Sequence, residues 1–351
     1  MMLRSESDME QCRARFLLSA PNFHMNKTES VVKGERPPTP APELQRKSMK
    51  VFWKQWQTRR YFGALAYGVV LLALFSPILI RLASYAADSE LNSHIFLIPF
   101  VSAYLIYLKR RKLPRTFETS VGWATIPFAA ATISLAVALG FAAGLSPNDY
   151  FTLMAFSLVS FVWTAGFLFF GRQWMFTAVF PMAFLIFFVP LPDGLADMFE
   201  RGLLVPTALA ADLFFDLSGT PHISNELVFQ LPNIAIRVAQ QCSGIRSSWV
   251  LFITGVLASY LFLQSPWRRI VFVALIIPLG VLRNGFRIFV IGLLCTEIGR
   301  HMIDSFIHHR GGPIFFVLSL IPLFFILWWM RSRERHLRVD ADDATVPKFG
   351  T

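Results

Sequence analysis

Charged residues are scarce in this 351-residue chain: Asp, Glu, Lys and Arg make up 16% of it, against 54% hydrophobic residues. A soluble protein of this length carries more charge, so the composition excludes an ordinary globular domain in water. Apolar runs of about 20 residues recur, which is the length that crosses a bilayer. We therefore expect an all-α integral membrane protein. It would be a polytopic bundle of about eight transmembrane helices, with a small outer hairpin before the sixth.

Cysteine is also rare, and its three copies, Cys12, Cys242 and Cys295, form no CxxC pair. This excludes a disulfide framework and leaves one reactive thiol with two bystanders, or a single structural disulfide between Cys242 and Cys295. No HExxH or G-x-S-x-G motif is present, which argues against a zinc protease and a serine hydrolase. A weaker alternative is a zinc site built from Glu297, His301, His308 and His309. We expect no metal and no cofactor.

The net charge of +11 does not indicate nucleic-acid binding, because Lys and Arg cluster in short loops beside apolar runs. Residues 1–60 contain no apolar segment typical of a cleavable signal peptide. Residues 1–55 are expected to be a disordered cytoplasmic tail, because they are polar and rich in Pro, Glu and Lys. The transmembrane domain would span residues 56–332, followed by a cytoplasmic C-terminal tail at 333–351.

Eight apolar runs alternate with polar loops: 61–83, 94–108, 123–143, 150–170, 175–191, 245–263, 270–294 and 313–329. The basic cluster at residues 109–112 places its loop in the cytoplasm, because cytoplasmic loops are enriched in Lys and Arg. Both termini would then be cytoplasmic, with the loops around residues 88–90, 146–149 and 296–310 outside. No internal repeat is visible, so nothing in the sequence indicates an inverted-repeat transporter.

The stretch at residues 195–217 is ambiguous, because it mixes five charged residues with leucine and phenylalanine. Five charges are costly in hydrocarbon, so we expect an amphipathic helix in the outer interface. A spanning helix here would instead place Cys242 on the cytoplasmic side. Residues 226–239 then alternate between apolar and polar side chains, which predicts a small hairpin on the outer surface that leads to Cys242.

Cys242 is the first candidate for chemistry, because it precedes or begins the sixth helix. Unpaired N–H groups at a helix N-terminus stabilise an anion and lower the pKa of a thiol. Ser243 and Gly244 leave room for a substrate backbone, and Arg246, four residues on, shares a helical face with Cys242. The alternative is a small buried hydrophobic residue with no chemical role.

Arg287 is the second candidate, because an arginine in an apolar run needs a partner or a cavity. Arg283 and Asn284 lie four and three residues earlier, so all three can share one face. Arg287 would stabilise an oxyanion or a thiolate, with Arg283 as a helper. The alternative for both arginines is snorkelling towards the outer headgroups.

His308 is the third candidate, in the sequence His-His-Arg-Gly-Gly before the last apolar run. Histidine is the usual proton shuttle beside a cysteine nucleophile. His309 competes for the same role, and a loop histidine without function is the other alternative.

In this order the motifs resemble those of the exosortase/archaeosortase family of integral-membrane cysteine transpeptidases. The similar segments are Val-Ala-Gln-Gln-Cys-Ser-Gly-Ile-Arg-Ser around Cys242, Asn284-Gly-Phe-Arg287 and His308-His-Arg-Gly-Gly312. Residues 93–99 with Tyr104, and residues 181–192, resemble further parts of the family. The likeness covers residues 61–329. Gln240 departs from it, since glutamate is expected there, which bears on acidic assistance to the site but not on the triad.

The resemblance implies a thiol protease and transpeptidase at the outer, periplasmic face of a bacterial inner membrane. Its partners would be secreted proteins with a PEP-CTERM-like C-terminal sorting signal, namely a short motif, a transmembrane helix and a basic tail. A glycan amine, a lipid amine or water would resolve the thioester, and exopolysaccharide production is the implied setting. Membrane lipids are expected to surround the chain, and nucleic acid is not an expected partner. The alternative function is a non-catalytic component of exopolysaccharide export, in which Arg283 and Arg287 line a path for an anionic glycan.

Overall fold

The computed structural model describes residues 42–88, 92, 94–114, 118–225, 227–232, 234–237, 245–299 and 312–345. Within these ranges, side chains are described except at residues 42–59, 88, 237, 245–246, 312–313 and 336–345. The expected disordered tail at residues 1–55 lies largely outside the described part of the chain.

The described chain is a helical bundle that carries one small antiparallel sheet. Its helices are α1 (Pro42–Asp88), α2 (Leu97–Lys109), α3 (Val121–Gly140), α4 (Pro147–Ala165), α5 (Arg172–Thr177), α6 (Val179–Phe184), α7 (Asp193–Ser218), α8 (Ile245–Phe262), α9 (Pro266–Glu297) and α10 (Gly312–Thr345). The sheet has the order β1 (Ile223–Asn225), β2 (Val228–Leu231) and β3 (Ile234–Arg237). The expected all-α membrane fold with a small hairpin is confirmed, and β1 adds a third strand to that hairpin.

Within the described ranges, five helical segments are long and apolar enough to cross a membrane: Arg60–Ala87, Val121–Gly140, Pro147–Phe170, Pro266–Glu297 and Ile314–Arg335. A sixth is possible if the bent pair Val179–Phe188 and Asp193–Ser218 forms one broken span. The apolar runs at 94–108 and 245–263 form helices of 13 and 18 residues. At about 1.5 Å per residue, both are shorter than a hydrocarbon core of about 30 Å. The structure thus supports five or six full-length spans among the eight apolar runs.

α7 makes an angle of 91° with the helical segment before it, and the bend lies at the Pro190-Leu-Pro192 turn. Both a helix lying in the interface and a broken span fit this bend. The interfacial position of residues 195–217 therefore stays a prediction.

Basic residues from the end of α2 and the start of α9 meet beside the end of α8, at one end of the bundle, which we call the basic end. The Lys109 Nζ atom and the Arg269 guanidinium carbon lie 5.2 and 5.1 Å from the centre of the Tyr260 ring. Lys109 also donates a hydrogen bond to the Thr177 carbonyl at 3.0 Å. The loops that the charge pattern assigns to one side of the membrane are therefore close in space.

The basic end is also where α10 is tied to the connection between α8 and α9. The Glu334 carboxylate accepts hydrogen bonds from the backbone N–H groups of Gln264 and Ser265, at 3.0 and 2.7 Å. N–H groups at a helix start have no partner within the helix, so a carboxylate there stabilises α9. The three helices share a core made of Leu251, Ala258, Leu263, Phe272, Ile276, Leu323, Leu327 and Met330.

A buried polar network joins α1, α4 and the start of α7 at the other end of the bundle. The Asn148 amide donates to the Leu191 carbonyl at 2.7 Å and to the Asp193 carboxylate at 2.8 Å. The Tyr85 hydroxyl and the Asn92 amide donate to the Asn148 side-chain oxygen, at 3.4 and 3.5 Å. Buried polar groups are stable only when they are hydrogen-bonded, so this network fixes the ends of these three helices relative to one another.

The sheet packs against the second half of α7 and against α9. A β-carbon on Gly285 of α9 would lie 2.6 Å from the Ala210 β-carbon, and one on Gly292 would lie 2.6 Å from the Phe215 ring. The contact moves from Ala210 to Phe215 on α7 as it moves from Gly285 to Gly292 on α9, so both helices run in the same direction here. Phe229 and Leu231 of β2 bury against this pair of helices.

We expect Gly285→Ala to destabilise the protein, because the new methyl group would collide with Ala210 in a close helix contact. Overpacking costs about 1–3 kcal/mol, which exceeds the gain of about 0.5–1 kcal/mol from replacing glycine in a helix. Gly202→Ala in α7 is the matched control, because nothing lies within 4 Å of its new β-carbon. In thermal unfolding in detergent, the melting temperature of Gly202→Ala should be higher than that of wild type, and the melting temperature of Gly285→Ala should be lower. Equal effects would show that α7 and α9 are not in close contact.

Candidate active site

The starts of α8 and α10 both contact one turn of α9, the turn from residue 283 to 287. On the α8 side, the Arg283 Nη2 atom donates a hydrogen bond to the Ser248 hydroxyl at 3.0 Å. On the α10 side, the rings of Phe286 and Phe315 lie 6.3 Å apart. Two helix ends that are distant in sequence are therefore brought to the same level of α9.

The polar residues of this α9 turn face the interior of the protein. Arg283 and Asn284 are 7% and 2% exposed, and Arg287 is half-buried. Arg287 follows Arg283 by one helical turn, so the two residues share a face as the spacing predicts. A guanidinium buried among apolar helices is stable only with acceptors close by. Ser248 supplies one such acceptor and holds the head group of Arg283 at the first turns of α8.

Two residues that make this contact possible, Gly280 and Ser248, were not singled out from the sequence. A β-carbon on Gly280 would lie 3.2 Å from the Ser248 hydroxyl oxygen, so glycine leaves the space that α8 occupies. The signals available in the sequence were a glycine three residues before Arg283 and a serine pair in an apolar run. Neither signal says which helix the arginine meets.

Several of the predicted site residues lie outside the described part of the chain. They are Cys242, Ser243, Gly244, His308 and His309, and the side chain of Arg246 is likewise not described. In the sequence, Cys242 stands three residues before α8 begins at Ile245, and His308 stands four residues before α10 begins at Gly312. Their roles therefore stay predictions, while the structure describes α8 and α10, the helices that follow them in the chain.

The direction of α8 matters for the electrostatics of the site. α8 ends near Tyr260 at the basic end and begins beside Arg283, so its N-terminus points away from the basic end. The N-terminus of a helix carries a partial positive charge of roughly half an elementary charge. Together with Arg283, which contacts the first turns of α8, it makes this end of α8 a favourable place for an anion.

Cys295 is a free thiol with a fully buried side chain in α9. This finding overturns the alternative in which Cys295 forms a structural disulfide with Cys242. A buried free cysteine behaves as a small hydrophobic residue, so a structural role is sufficient to explain it. The zinc alternative rests on His301, His308 and His309, which lie outside the described residues.

Comparison with known proteins decides the family. A family model described as transmembrane exosortase matches residues 85–325. The chain belongs to the transmembrane exosortase family. The match includes the positions of Cys242, Arg287 and His308 and runs from the end of α1 into α10. No curated protein and no solved structure matches the chain. Membership confirms the resemblance seen in the sequence and, with the apolar helices, a multi-pass membrane protein.

We expect Ser248→Ala to lower the stability of the protein, because the buried Arg283 guanidinium loses an acceptor. Hydrogen bonds to charged groups contribute about 1.5–3 kcal/mol. Ser259→Ala on the same helix is the matched control, since this buried serine bonds only locally, to the Val256 carbonyl at 2.8 Å. Thermal unfolding in detergent should show a larger loss for Ser248→Ala. A loss no greater than that of Ser259→Ala would contradict the anchoring role of Ser248.

Proposed function

We propose that this exosortase-family chain is a membrane-embedded cysteine peptidase and transpeptidase. It would cleave PEP-CTERM-like C-terminal sorting signals of secreted proteins through a thioester. One observation carries the proposal: the starts of α8 and α10 both contact the turn of α9 that holds Arg283 and Arg287. In the sequence, Cys242 stands three residues before the first of these starts, and His308 stands four residues before the second.

Chain length limits how far the proposed catalytic residues can be from this turn. An extended chain covers at most about 3.6 Å per residue, so Cys242 is within about 11 Å of Ile245. By the same measure, His308 is within about 14 Å of Gly312. Both lengths are comparable to the distance between packed helices, about 8–10 Å, so both residues can reach the Arg287 face.

The first chemical step is attack by the Cys242 thiolate on the scissile carbonyl carbon of the sorting signal. A C–S bond forms, and the carbonyl oxygen becomes an oxyanion. The guanidinium of Arg287 would stabilise this oxyanion, because a charged donor placed where negative charge develops lowers the barrier. Arg283, fixed by its hydrogen bond to Ser248, would add to the positive electrostatic potential of the site. Asn284 is a further polar group next to Arg283 in the sequence.

The second half of the reaction requires a proton carrier, and we assign this role to His308. Its imidazolium protonates the leaving amine as the C–N bond breaks, which leaves a thioester on Cys242. The neutral imidazole then takes the proton from the incoming nucleophile, a glycan amine, a lipid amine or water. The new bond to the acyl carbon forms, and the Cys242 thiolate leaves. His309 is the competing candidate for the same proton transfer.

The depth of the site indicates how a substrate reaches it. Arg287 stands ten residues before the end of α9 at Glu297, which is a rise of about 15 Å along the helix. With the basic end in the cytoplasm, this level is in the outer half of the membrane. A transmembrane sorting helix that approaches from the lipid would bring its outer end to this level. Large apolar side chains exposed on the bundle, such as Leu213 and Leu217 of α7, suit both lipid and such a helix.

The processing of secreted proteins provides the direct test. In the source bacterium, Cys242→Ala should leave envelope proteins with their C-terminal helix and basic tail uncleaved. Arg287→Met should slow processing by about 10²–10³-fold, with Arg287→Lys less severe. Arg333→Met is the matched control, an exposed arginine at the basic end. Mass spectrometry of envelope proteins measures precursor accumulation. Normal processing by Cys242→Ala would overturn the enzyme assignment and favour a non-catalytic role in polysaccharide export.

The topology and the thiol can be tested without a substrate. In spheroplasts, a membrane-impermeant maleimide should label Cys242 from outside, with an apparent pKa below that of an ordinary thiol. Cys295 should stay unlabelled, because its side chain is fully buried. Single Cys12→Ser, Cys242→Ser and Cys295→Ser variants assign each signal. Labelling of Cys12 from outside would show that the orientation is inverted.

A further inference from the structure

A histidine that the catalytic scheme does not use closes the connection between α7 and the sheet. The His222 Nε2 atom lies 2.9 Å from the Asp212 carboxylate, and Nδ1 lies 3.0 Å from the Thr220 carbonyl oxygen. A second carboxylate, from Asp216, lies 3.8 Å from Nε2. The His222 side chain is only 8% exposed. We call His222, Asp212 and Asp216 the histidine clasp.

The partners of His222 specify its protonation state. Both ring nitrogens face oxygen atoms that can only accept a hydrogen bond, and a neutral imidazole has a single N–H to donate. Only the imidazolium satisfies both contacts. Burial lowers the pKa of His222, but the Thr220 carbonyl, the Asp212 hydrogen bond and the charges of Asp212 and Asp216 outweigh it, so the pKa is raised. Among the described residues, these carboxylates are the charged groups that face the ring.

The end of α7 adds to this preference for a cation. Gly219 has a φ of 69°, which lets the chain reverse after the last helical turn. The N–H groups of Gly219 and Thr220 then bond to the carbonyls of Asp216 and Phe215, both at 3.1 Å. The C-terminus of a helix carries a partial negative charge, so the imidazolium of His222 is stabilised there.

The clasp is connected to Cys242 through the sheet. The ring of His222 lies 5.3 Å from that of Phe215 and 6.1 Å from that of Phe229 in β2. β1 begins at the next residue, Ile223, and pairs with β2, which pairs with β3. β3 ends at Arg237, five residues before Cys242. The clasp therefore anchors the first strand of the sheet from which the chain runs to the proposed nucleophile.

The clasp is connected to the arginines through α7. Phe215 packs against Gly292, and Ala210 packs against Gly285, which lies between Asn284 and Phe286 on α9. Asp212 stands between these two contacts on α7. One end of the clasp is thus tied to the helix that carries Arg283 and Arg287, and the other end is tied to the strands that lead to Cys242.

We propose that protonated His222 is a positioning residue, which holds the sheet on α7 so that Cys242 stays in register with Arg287. This inference rests on the function proposed above for Cys242 and Arg287. Loss of the proton would leave one ring nitrogen facing an acceptor without a hydrogen atom between them. The sheet would then be held less tightly, and the reactivity of Cys242 would fall without any change in the active-site residues themselves.

The sign of the pH dependence follows from the raised pKa of His222. Its contribution to stability is complete below the ordinary histidine value of 6.5 and is lost as the pH rises through the higher value in the folded protein. The clasp therefore tightens on acidification and loosens in alkaline solution.

Thermal unfolding of the full-length protein in detergent, from about pH 6 to about pH 9, tests the clasp directly. His222→Gln keeps a donor but cannot titrate, so the melting-temperature difference between wild type and this variant should shrink as pH rises. In Asp212→Asn, the pH at which the stabilisation by His222 is lost should be lower than in wild type, because the substitution removes a charge that favours the imidazolium. His336→Gln, which removes a histidine elsewhere in the chain, is the matched control and should follow wild type. A pH-independent difference for His222→Gln would overturn the clasp.

Maleimide labelling of Cys242 distinguishes this inference from the proposed function. The experiment uses a Cys12→Ser, Cys295→Ser background, in which Cys242 is the remaining cysteine. The labelling rate divided by the thiolate fraction should fall as the pH rises through the His222 transition. In His222→Gln the same ratio should show no such fall. Normal labelling with no difference between the two proteins would refute the positioning role and leave the cysteine mechanism standing. Unchanged processing by Cys242→Ala, together with a pH-dependent melting difference, would refute the mechanism and the positioning role, leaving the clasp only as a structural element.

Discussion

The cost of burying a guanidinium group organises this part of the exosortase fold. Arg283 is almost fully buried within a helix whose other residues are largely apolar, and such a charge is stable only where acceptors meet it. The Ser248 hydroxyl meets it from α8, and Gly280 leaves the space for α8 to come this close. The helix that follows Cys242 is therefore held at the level of the two arginines by an electrostatic requirement rather than by apolar packing alone.

Close helix contacts at small residues and hydrogen bonds between polar groups together stabilise the bundle. Lipid is as apolar as a leucine side chain, so helices in a membrane associate through close packing and hydrogen bonds rather than through the hydrophobic effect. Gly285 and Gly292 allow α7 and the sheet to lie directly on α9. Glu334 ties the helices together at the basic end, and Asn148 joins α1, α4 and α7 at the opposite end.

This arrangement explains how residues far apart in the chain can act together. The segment before α8 starts from the sheet, and the sheet rests on α7 through Phe229 and the histidine clasp. α7 in turn lies along the half of α9 that carries Arg287. In the proposed mechanism, the position of Cys242 would thus depend on contacts outside the active site, including the histidine clasp at the end of α7.

Much of the organisation was accessible from the sequence. Apolar runs of bilayer length and clustered basic loops were sufficient to predict a multi-pass helical protein and to group the loops that meet at each end. The order of the three motifs was sufficient to predict the exosortase family, which the family model confirms over residues 85–325. The number of full-length spans was harder to predict, because apolarity does not show where a helix bends or begins. α2, for example, begins only at Leu97, and the run at 175–191 is divided among short helices.

By itself, the sequence determined the composition of each helix, the charge of each loop and the spacing of Arg283, Asn284 and Arg287 on one face, since these are local properties. Only the tertiary structure decided that Arg283 meets Ser248, that Cys295 is a buried free thiol and that His222 bridges α7 to the sheet. Ser248 lies 35 residues from Arg283. No periodicity specifies such a pair, because the distance between two side chains on different helices depends on how closely their backbones pack.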